Sequence, residues 1–202
     1  MAEPLDGEGY AEFIRRIRAG DERAAEELVR RYEPEIRLEI RGWLRLRNPR
    51  LRRVFDSMDV CQSVLASFFI RAAVGEFDLD EPRRLVPLLV GMARNKLAQQ
   101  VRFHQRRRRD VRRVDPAGPA DDAATAAEES PSQIVSMREL LELCRRRLTD
   151  EERAVAELRS RGLDWAAVAA ALGGTAEARR KQLSRAIARV GPELGLDAPV
   201  GG

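Results

Sequence analysis

A short basic stretch near the carboxyl end of the chain carries side chains suited to contact DNA. Arginine is prominent in it, and the guanidinium group offers a fixed fork of donors that matches phosphate oxygens and the edge of guanine. On a helix, residues three and four apart are neighbours, so most of these side chains share one face. The candidate DNA-contacting residues are Thr175, Glu177, Arg179, Arg180, Lys181, Ser184 and Arg185.

Residues 162–189 predict the elements that position these side chains, namely two short helices joined by a tight turn. The glycine pair at 173–174 supplies a turn that bulky residues would resist, and Thr175 is suited to cap the second helix. The expected inward residues are Trp165, Val168, Ala169 and Leu172 on the first helix, and Ala178, Leu183, Ala186 and Val190 on the second. This is the pattern of a helix-turn-helix, whose second helix lies in the DNA major groove. The alternative is an ordinary helical hairpin with a solvated charged face.

A second basic stretch spans residues 93–113 and includes four consecutive arginines at 106–109. Such a field binds phosphate strongly and carries little sequence information by itself. Phe103 or His104 within it is able to stack on an exposed base. The alternative is a helix end that uses cations to balance its dipole. The candidate DNA-contacting residues here are Arg94, Asn95, Lys96, Arg102, His104, Arg106 and Arg107.

A third stretch, residues 59–65, places Asp59 and Gln62 three residues apart on one face of a predicted helix. Taken alone, it is an interior helix with a polar edge.

The composition predicts an all-α chain of 202 residues in two small helical domains joined by a flexible acidic linker. Alanine and leucine supply much of the apolar mass, only 5% of residues are aromatic, and no strand pattern occurs. The predicted division is a loose N-terminus at 1–9, a domain at 10–113, the linker at 114–133, a helix-turn-helix domain at 134–195 and a tail at 196–202. Within the first domain, Pro34 is expected to kink or divide a helix, and the last helix is expected to end near Gln105.

Several functions are disfavoured by the residue pattern. His104 is the only histidine, and neither Cys61 nor Cys144 has a neighbour at metal-ligand spacing, so we expect no metal, no cofactor and no catalytic residue. There is no apolar run long enough to span a membrane and no signal-peptide pattern. We therefore expect a cytoplasmic protein that is not an enzyme and does not insert into membranes.

Together, these stretches resemble a family. The order Asp59-Val60-Cys61-Gln62, then Met92-Ala93-Arg94-Asn95 with its basic tail, then the helix-turn-helix is similar to that of bacterial extracytoplasmic-function (ECF) sigma factors. The resemblance covers about residues 10–190. The variant at residues 179–186 is similar to a planctomycete-type branch of that family.

The resemblance implies a sigma region 2-like helical bundle, a region 4-like helix-turn-helix, and a role in directing RNA polymerase core to promoters. Residues 77–84 and the basic face at 94–107 would capture and melt the start-proximal promoter element as single strand. The helix-turn-helix would bind the upstream element as duplex DNA. Contacts with the clamp helices of the polymerase large subunit would involve Asp59, Val60, Gln62, Ser63 and Leu65. Other implied partners are the polymerase flap and an anti-sigma factor.

Some positions depart from the family pattern. Ser63 stands where glutamate is usual, Leu88 follows Pro87 where an aromatic residue is usual, and Arg179 stands where the recognition helix is usually apolar. An alternative function also stays open, that of a stand-alone helix-turn-helix transcription regulator. Such a regulator would dimerise through residues 10–105 and bind a palindromic duplex without polymerase.

Overall fold

The computed structural model describes residues 7–47, 57–114 and 137–196. Within these ranges the chain forms helices and turns and no strand, which confirms the all-α prediction. The predicted loose N-terminus is already helical from Gly7 onward, and its first six residues lie outside the described ranges. Almost all of the predicted linker at 114–133 and of the tail at 196–202 also lies outside them.

The first helical unit contains four helices around one apolar core. They are α1 (Gly7–Arg18), α2 (Glu22–Arg47), α3 (Ser57–Ala73) and α4 (Leu85–Val114), with a 3-10 turn at Pro82–Arg84 before α4. Phe68 in α3 and Leu89 in α4 are fully buried there, together with Leu28 and Ile36 from α2. Asp21 caps α2, because its carboxylate accepts the backbone N–H of Ala24 at 3.1 Å.

One helix in this unit is not divided where a kink or a division was predicted, and one predicted helix end is wrong. The helix α2 is not divided at Pro34 but runs through it, because Tyr32 and Ile36 on either side are buried in the core and their packing outweighs one lost backbone hydrogen bond. The helix α4 continues past Gln105 to Val114. Arginine and glutamine are good helix formers, and the first residue that opposes a helix there is Pro116.

The second helical unit also contains four helices. They are α5 (Met137–Arg147), α6 (Asp150–Ser160), α7 (Trp165–Leu172) and α8 (Ala176–Val190), followed by a 3-10 turn at Gly191–Leu194. A capping box starts α6, in which the Thr149 hydroxyl accepts the Glu152 N–H at 3.3 Å and the Glu152 carboxylate accepts the Thr149 N–H at 2.9 Å. Val168, Leu183 and Leu196 are buried in the core of this unit.

The two units pack directly against each other at the end of α3. Ile70, Ala73 and Val74 are buried with the core of the second unit rather than with that of the first. A small apolar cleft lies at this junction, between Ile17 of α1 and Leu141 of α5. The loop that follows α3 therefore starts at the contact between the units.

A pH prediction follows from Tyr10, whose buried hydroxyl has no hydrogen-bond partner. Burial raises the pKa of Tyr10 to about 12, with a further contribution from Tyr32. A tyrosine in the unfolded chain titrates near 10, so between about pH 10 and 12 the folded state holds a proton that the unfolded state loses. Stability should therefore fall as the pH rises through this window. Urea unfolding should be measured near pH 7 and near pH 11. Between these values the free energy of unfolding should fall less for Tyr10→Phe than for the wild type. An equal fall in both proteins would contradict the raised pKa of Tyr10.

Candidate nucleic-acid interface

The turn between α7 and α8 has the geometry that the glycine pair predicts. Gly173 and Gly174 have φ angles of 77° and 85°, in a region that favours glycine. The Asp164 carboxylate accepts the Ala167 N–H at 2.7 Å at the start of α7, and the Thr175 hydroxyl accepts the Ala178 N–H at 3.1 Å at the start of α8. Both helices are thus fixed at their N-termini. Thr175 serves as the cap of α8, and its side chain is exposed beside the basic face.

The outward face of α8 is basic and exposed. Arg180 bonds to the Glu177 carboxylate at 3.0 Å, Lys181 lies 3.3 Å from the same carboxylate, and Arg185 is exposed one turn further on. The hydrogen bond from Arg180 lowers the pKa of Glu177. Exposed pairs of this kind contribute little to stability, so these cations exchange partners easily with phosphate or base edges.

The inward face of α8 differs from the expected one at two positions. Ala178, expected to face inward, is exposed, and Ile187 is fully buried instead. Leu183, Ala186 and Val190 are buried as predicted. The fully buried positions of α8 therefore lie from Leu183 onward, while Ala176 in the first turn is only partly buried against this core.

Arg179 lies against the turn rather than in solvent. Its guanidinium donates to the carbonyl of Leu172, to the carbonyl of Gly173 at 2.9 Å and to the side-chain oxygen of Gln182 at 2.8 Å. These carbonyls end α7 and have no partner within that helix. The side chain therefore links the end of α7 to the first turns of α8, and its assignment to DNA stays a prediction.

Ser184 is half-buried and lies close enough to Glu76 in the first helical unit to influence the pKa of that carboxylate. Burial raises the pKa of Glu76, while Arg71 and Ser184 act in the opposite direction. A candidate base-reading residue is thus near an acidic residue of the other unit.

The second basic stretch lies on α4. Arg94 and Arg102 are exposed, and Arg94 bonds to Glu39 of α2 at 3.2 Å. Asn95 and Lys96 are half-buried, and the Lys96 ammonium donates to the Ser63 hydroxyl of α3 at 2.6 Å. The predicted residues His104, Arg106 and Arg107 lie on α4, and their side chains lie outside the described part of the chain.

The residues predicted to bind polymerase divide into two groups on α3. Asp59 and Gln62 are exposed, and Ser63 is half-buried beside them. Val60 and Leu65 are buried in the core of the first unit, so they hold this face in place and do not form its surface.

Two buried arginines were not predicted from the sequence. Arg159 in α6 and Arg71 in α3 are among the most buried polar residues described. Each is in phase with an apolar helix face, since Arg159 lies four residues after Val155 and Arg71 lies three residues after Phe68. A charge at such a position is the signal that could have identified them.

Two kinds of feature are lacking among the residues that the structure describes. No group of three metal-ligating side chains occurs there, and no helix among them is long and apolar enough to cross a membrane. Cys61 and Cys144 are buried, and burial raises the pKa of each thiol to about 11.

The family model described as ECF sigma factor matches residues 8–194. The matched range contains both basic stretches and the exposed face of α3. No curated protein and no solved structure matches the chain.

The contacts of Arg179 predict a structural role that Arg180 lacks. Arg179→Ala removes three hydrogen bonds at the turn and should lower the free energy of unfolding by about 1–3 kcal/mol. Arg180→Ala is the matched control, because it removes only an exposed ion pair and should cost less than about 1 kcal/mol. Urea unfolding of the two variants would measure both values. If the two variants were equally stable, Arg179 would have no special structural role and would again be a candidate phosphate contact.

Proposed function

The chain belongs to the ECF sigma factor family, and we propose that it recognises promoters at two elements, an upstream duplex and a start-proximal single strand. Sigma factors act in transcription initiation, and the family is one of RNA polymerase-binding and DNA-binding proteins. The single observation that carries the proposal is the exposed basic face at the start of α8, which follows a tight turn.

Recognition of the upstream element is assigned to α8, as the region 4-like helix. The amino half of a recognition helix contacts base edges, and here that half carries Arg180 and Lys181 beyond the packed core. Arginine is suited to bind guanine through two donors. Arg185, one turn later, is placed to contact phosphate, which would set the register of the helix without reading sequence.

Capture of the start-proximal element is assigned to the first helical unit, as the region 2-like bundle. Arg94 and Arg102 project from α4, and the predicted residues 77–84 lie just before this helix, in the loop at residues 75–81 and the 3-10 turn at Pro82–Arg84. Melting a duplex costs unstacking energy, which binding of an extruded base and of the single-stranded backbone can offset. His104, Arg106 and Arg107 extend this assignment by their positions in the sequence.

Docking on polymerase is assigned to the exposed face of α3, which consists of Asp59, Gln62 and Ser63. Val60 and Leu65 support it from the core. The clamp helices, the flap, an anti-sigma partner and the planctomycete-type branch stay predictions that rest on the sequence resemblance.

Arg180→Ala tests the duplex assignment. Loss of one base-reading arginine should weaken holoenzyme binding to the upstream element by about 1–3 kcal/mol and relax specificity at one base pair. Arg161→Ala is a matched control, because Arg161 is also exposed and paired within its own unit but lies at the end of α6. Binding should be measured on single-base variants of the element. A uniform loss on every sequence would make Arg180 a phosphate contact.

Competition for core polymerase tests the function itself. The wild type should displace the housekeeping sigma factor from bacterial core polymerase, and Asp59→Ala or Gln62→Ala should weaken this binding by at least about 1 kcal/mol if these side chains are central to the contact. Glu26→Ala, another exposed acidic position in the first unit, should behave as wild type. A folded wild-type protein that binds a palindromic duplex as a dimer and ignores polymerase would favour the stand-alone regulator.

A further inference from the structure

The amino half of the recognition helix α8 is held only lightly by the apolar core of its unit. Val168 of α7 and Leu183 of α8 are buried, but no residue from 169 to 182 is buried between them. Leu172 and Ala176 are only partly buried against the core. The geometry of the part of α8 that is proposed to read DNA therefore depends largely on polar contacts.

The turn between α7 and α8 does little to fix the angle between the two helices. Glycine has no side chain and adopts many backbone conformations, so a glycine pair permits several such angles. A Cβ atom added to Gly173 would meet nothing within 4 Å, and one added to Gly174 would meet only the guanidinium of Arg179, at 3.7 Å. Arg179 thus approaches the turn where the glycines leave space.

Arg179 supplies the missing contacts through all three of its guanidinium nitrogens. Its Nε donates to the Gly173 carbonyl at 2.9 Å, one terminal nitrogen donates to the Leu172 carbonyl, and the other donates to the Gln182 side-chain oxygen at 2.8 Å. The Gln182 amide in turn donates to the Glu151 carboxylate of α6 at 3.2 Å. This polar network of Arg179, Gln182 and Glu151 therefore connects α6, α7 and α8.

The polar network also fixes the direction of the residue that follows Arg179. A helix turns by about 100° per residue, so the rotation that places Arg179 against α7 also sets where Arg180 points. A guanidinium binds guanine through two donors, and such a contact tolerates only small errors in position and angle. The Arg179 guanidinium would have to leave its partners at the turn to reach a phosphate.

We propose that Arg179 is a specificity-determining residue that positions the recognition helix and does not itself contact DNA. The polar network holds the amino half of α8 at the rotation at which Arg180 meets a base edge. The inference rests on the proposed function, because it takes α8 as the helix that reads the upstream duplex. It also extends that function to α6. Glu151 is acidic and would not bind phosphate, so any effect of this residue on base preference must be transmitted through Gln182.

Two substitutions of Arg179 and one of Glu151 test this role. Arg179→Ala removes the centre of the network, whereas Arg179→Lys keeps the positive charge but lacks the planar fork that joins the two carbonyls to the amide. Glu151→Ala removes only the α6 end of the network. Asp150→Ala is its matched control, because Asp150 is the neighbouring exposed carboxylate on α6 and pairs with Arg153 of the same helix at 3.0 Å.

Each protein should be assembled with core polymerase, and the holoenzyme should be tested on the upstream element that the wild type selects. Binding to this element and to its single-base variants should be measured over a range of salt. Both Arg179 variants should lower the preference for the selected base by about fivefold or more at one or more positions, because a good bidentate contact is worth at least that much. The salt dependence should not change, since no phosphate contact is lost. Glu151→Ala should relax the same positions to a smaller extent, and Asp150→Ala should behave as the wild type.

Two outcomes would overturn the role of Arg179. A salt slope that is smaller by about one in Arg179→Ala and restored in Arg179→Lys would make Arg179 a phosphate contact. Full base preference in both variants would leave it a structural residue only. Full preference in Glu151→Ala would overturn the link to α6. Arg179→Lys and Glu151→Ala decide the matter if Arg179→Ala does not fold. A wild-type holoenzyme that selects no upstream element would instead contradict the proposed function.

Discussion

The buried guanidinium of Arg159 is the interaction on which the arrangement of the two helical units depends. A buried charge is tolerated only when it is paired and its donors are satisfied. Here the partners are Asp78, two backbone carbonyls of the loop, the Leu163 carbonyl at 2.7 Å and the ring of Trp165, whose centroid lies 4.2 Å away. Because these partners come from both units, one side chain fixes the loop and the helix-turn-helix together.

The surrounding charges strengthen this dependence. Arg18 of α1 lies near Arg159, and burial together with this like charge lowers the pKa of Arg18. Asp80 and Asp78 oppose that effect, so these two acidic residues of the loop offset part of the like charge at Arg18. On the other side of the loop, the ring of Phe77 stacks on Phe68 of the first core at a centroid distance of 5.9 Å. The loop is therefore fixed by apolar packing to one unit and by charge to the other.

Local patterns predicted most of the elements and much of the candidate site. The glycine turn, the Thr175 cap and the exposed Arg180 follow from residue type and spacing alone, and the structure has all three. The longer α4 follows from local helix propensity, whereas the other misses originate in tertiary packing. Core contacts on both sides carry α2 through Pro34, and the role of Arg179 depends on carbonyls of the neighbouring helix α7. The docking of Arg159 on Gly75 joins residues 84 positions apart, which no local pattern encodes.

The Arg159 contacts fall into two sets, one within the second unit and one that would be lost if the loop left. The bond to Leu163 and the contact with Trp165 lie within the second unit, and they need not change when the loop leaves. The donors that face Gly75, Phe77 and Asp78 would then be hydrated, which offsets much of the cost of breaking those bonds. The apolar part that must be exposed is short, since it consists of Ile70, Ala73 and Val74 at one end of α3. An interface that is polar around a small apolar centre is suited to reversible separation, because a folded unit remains on each side.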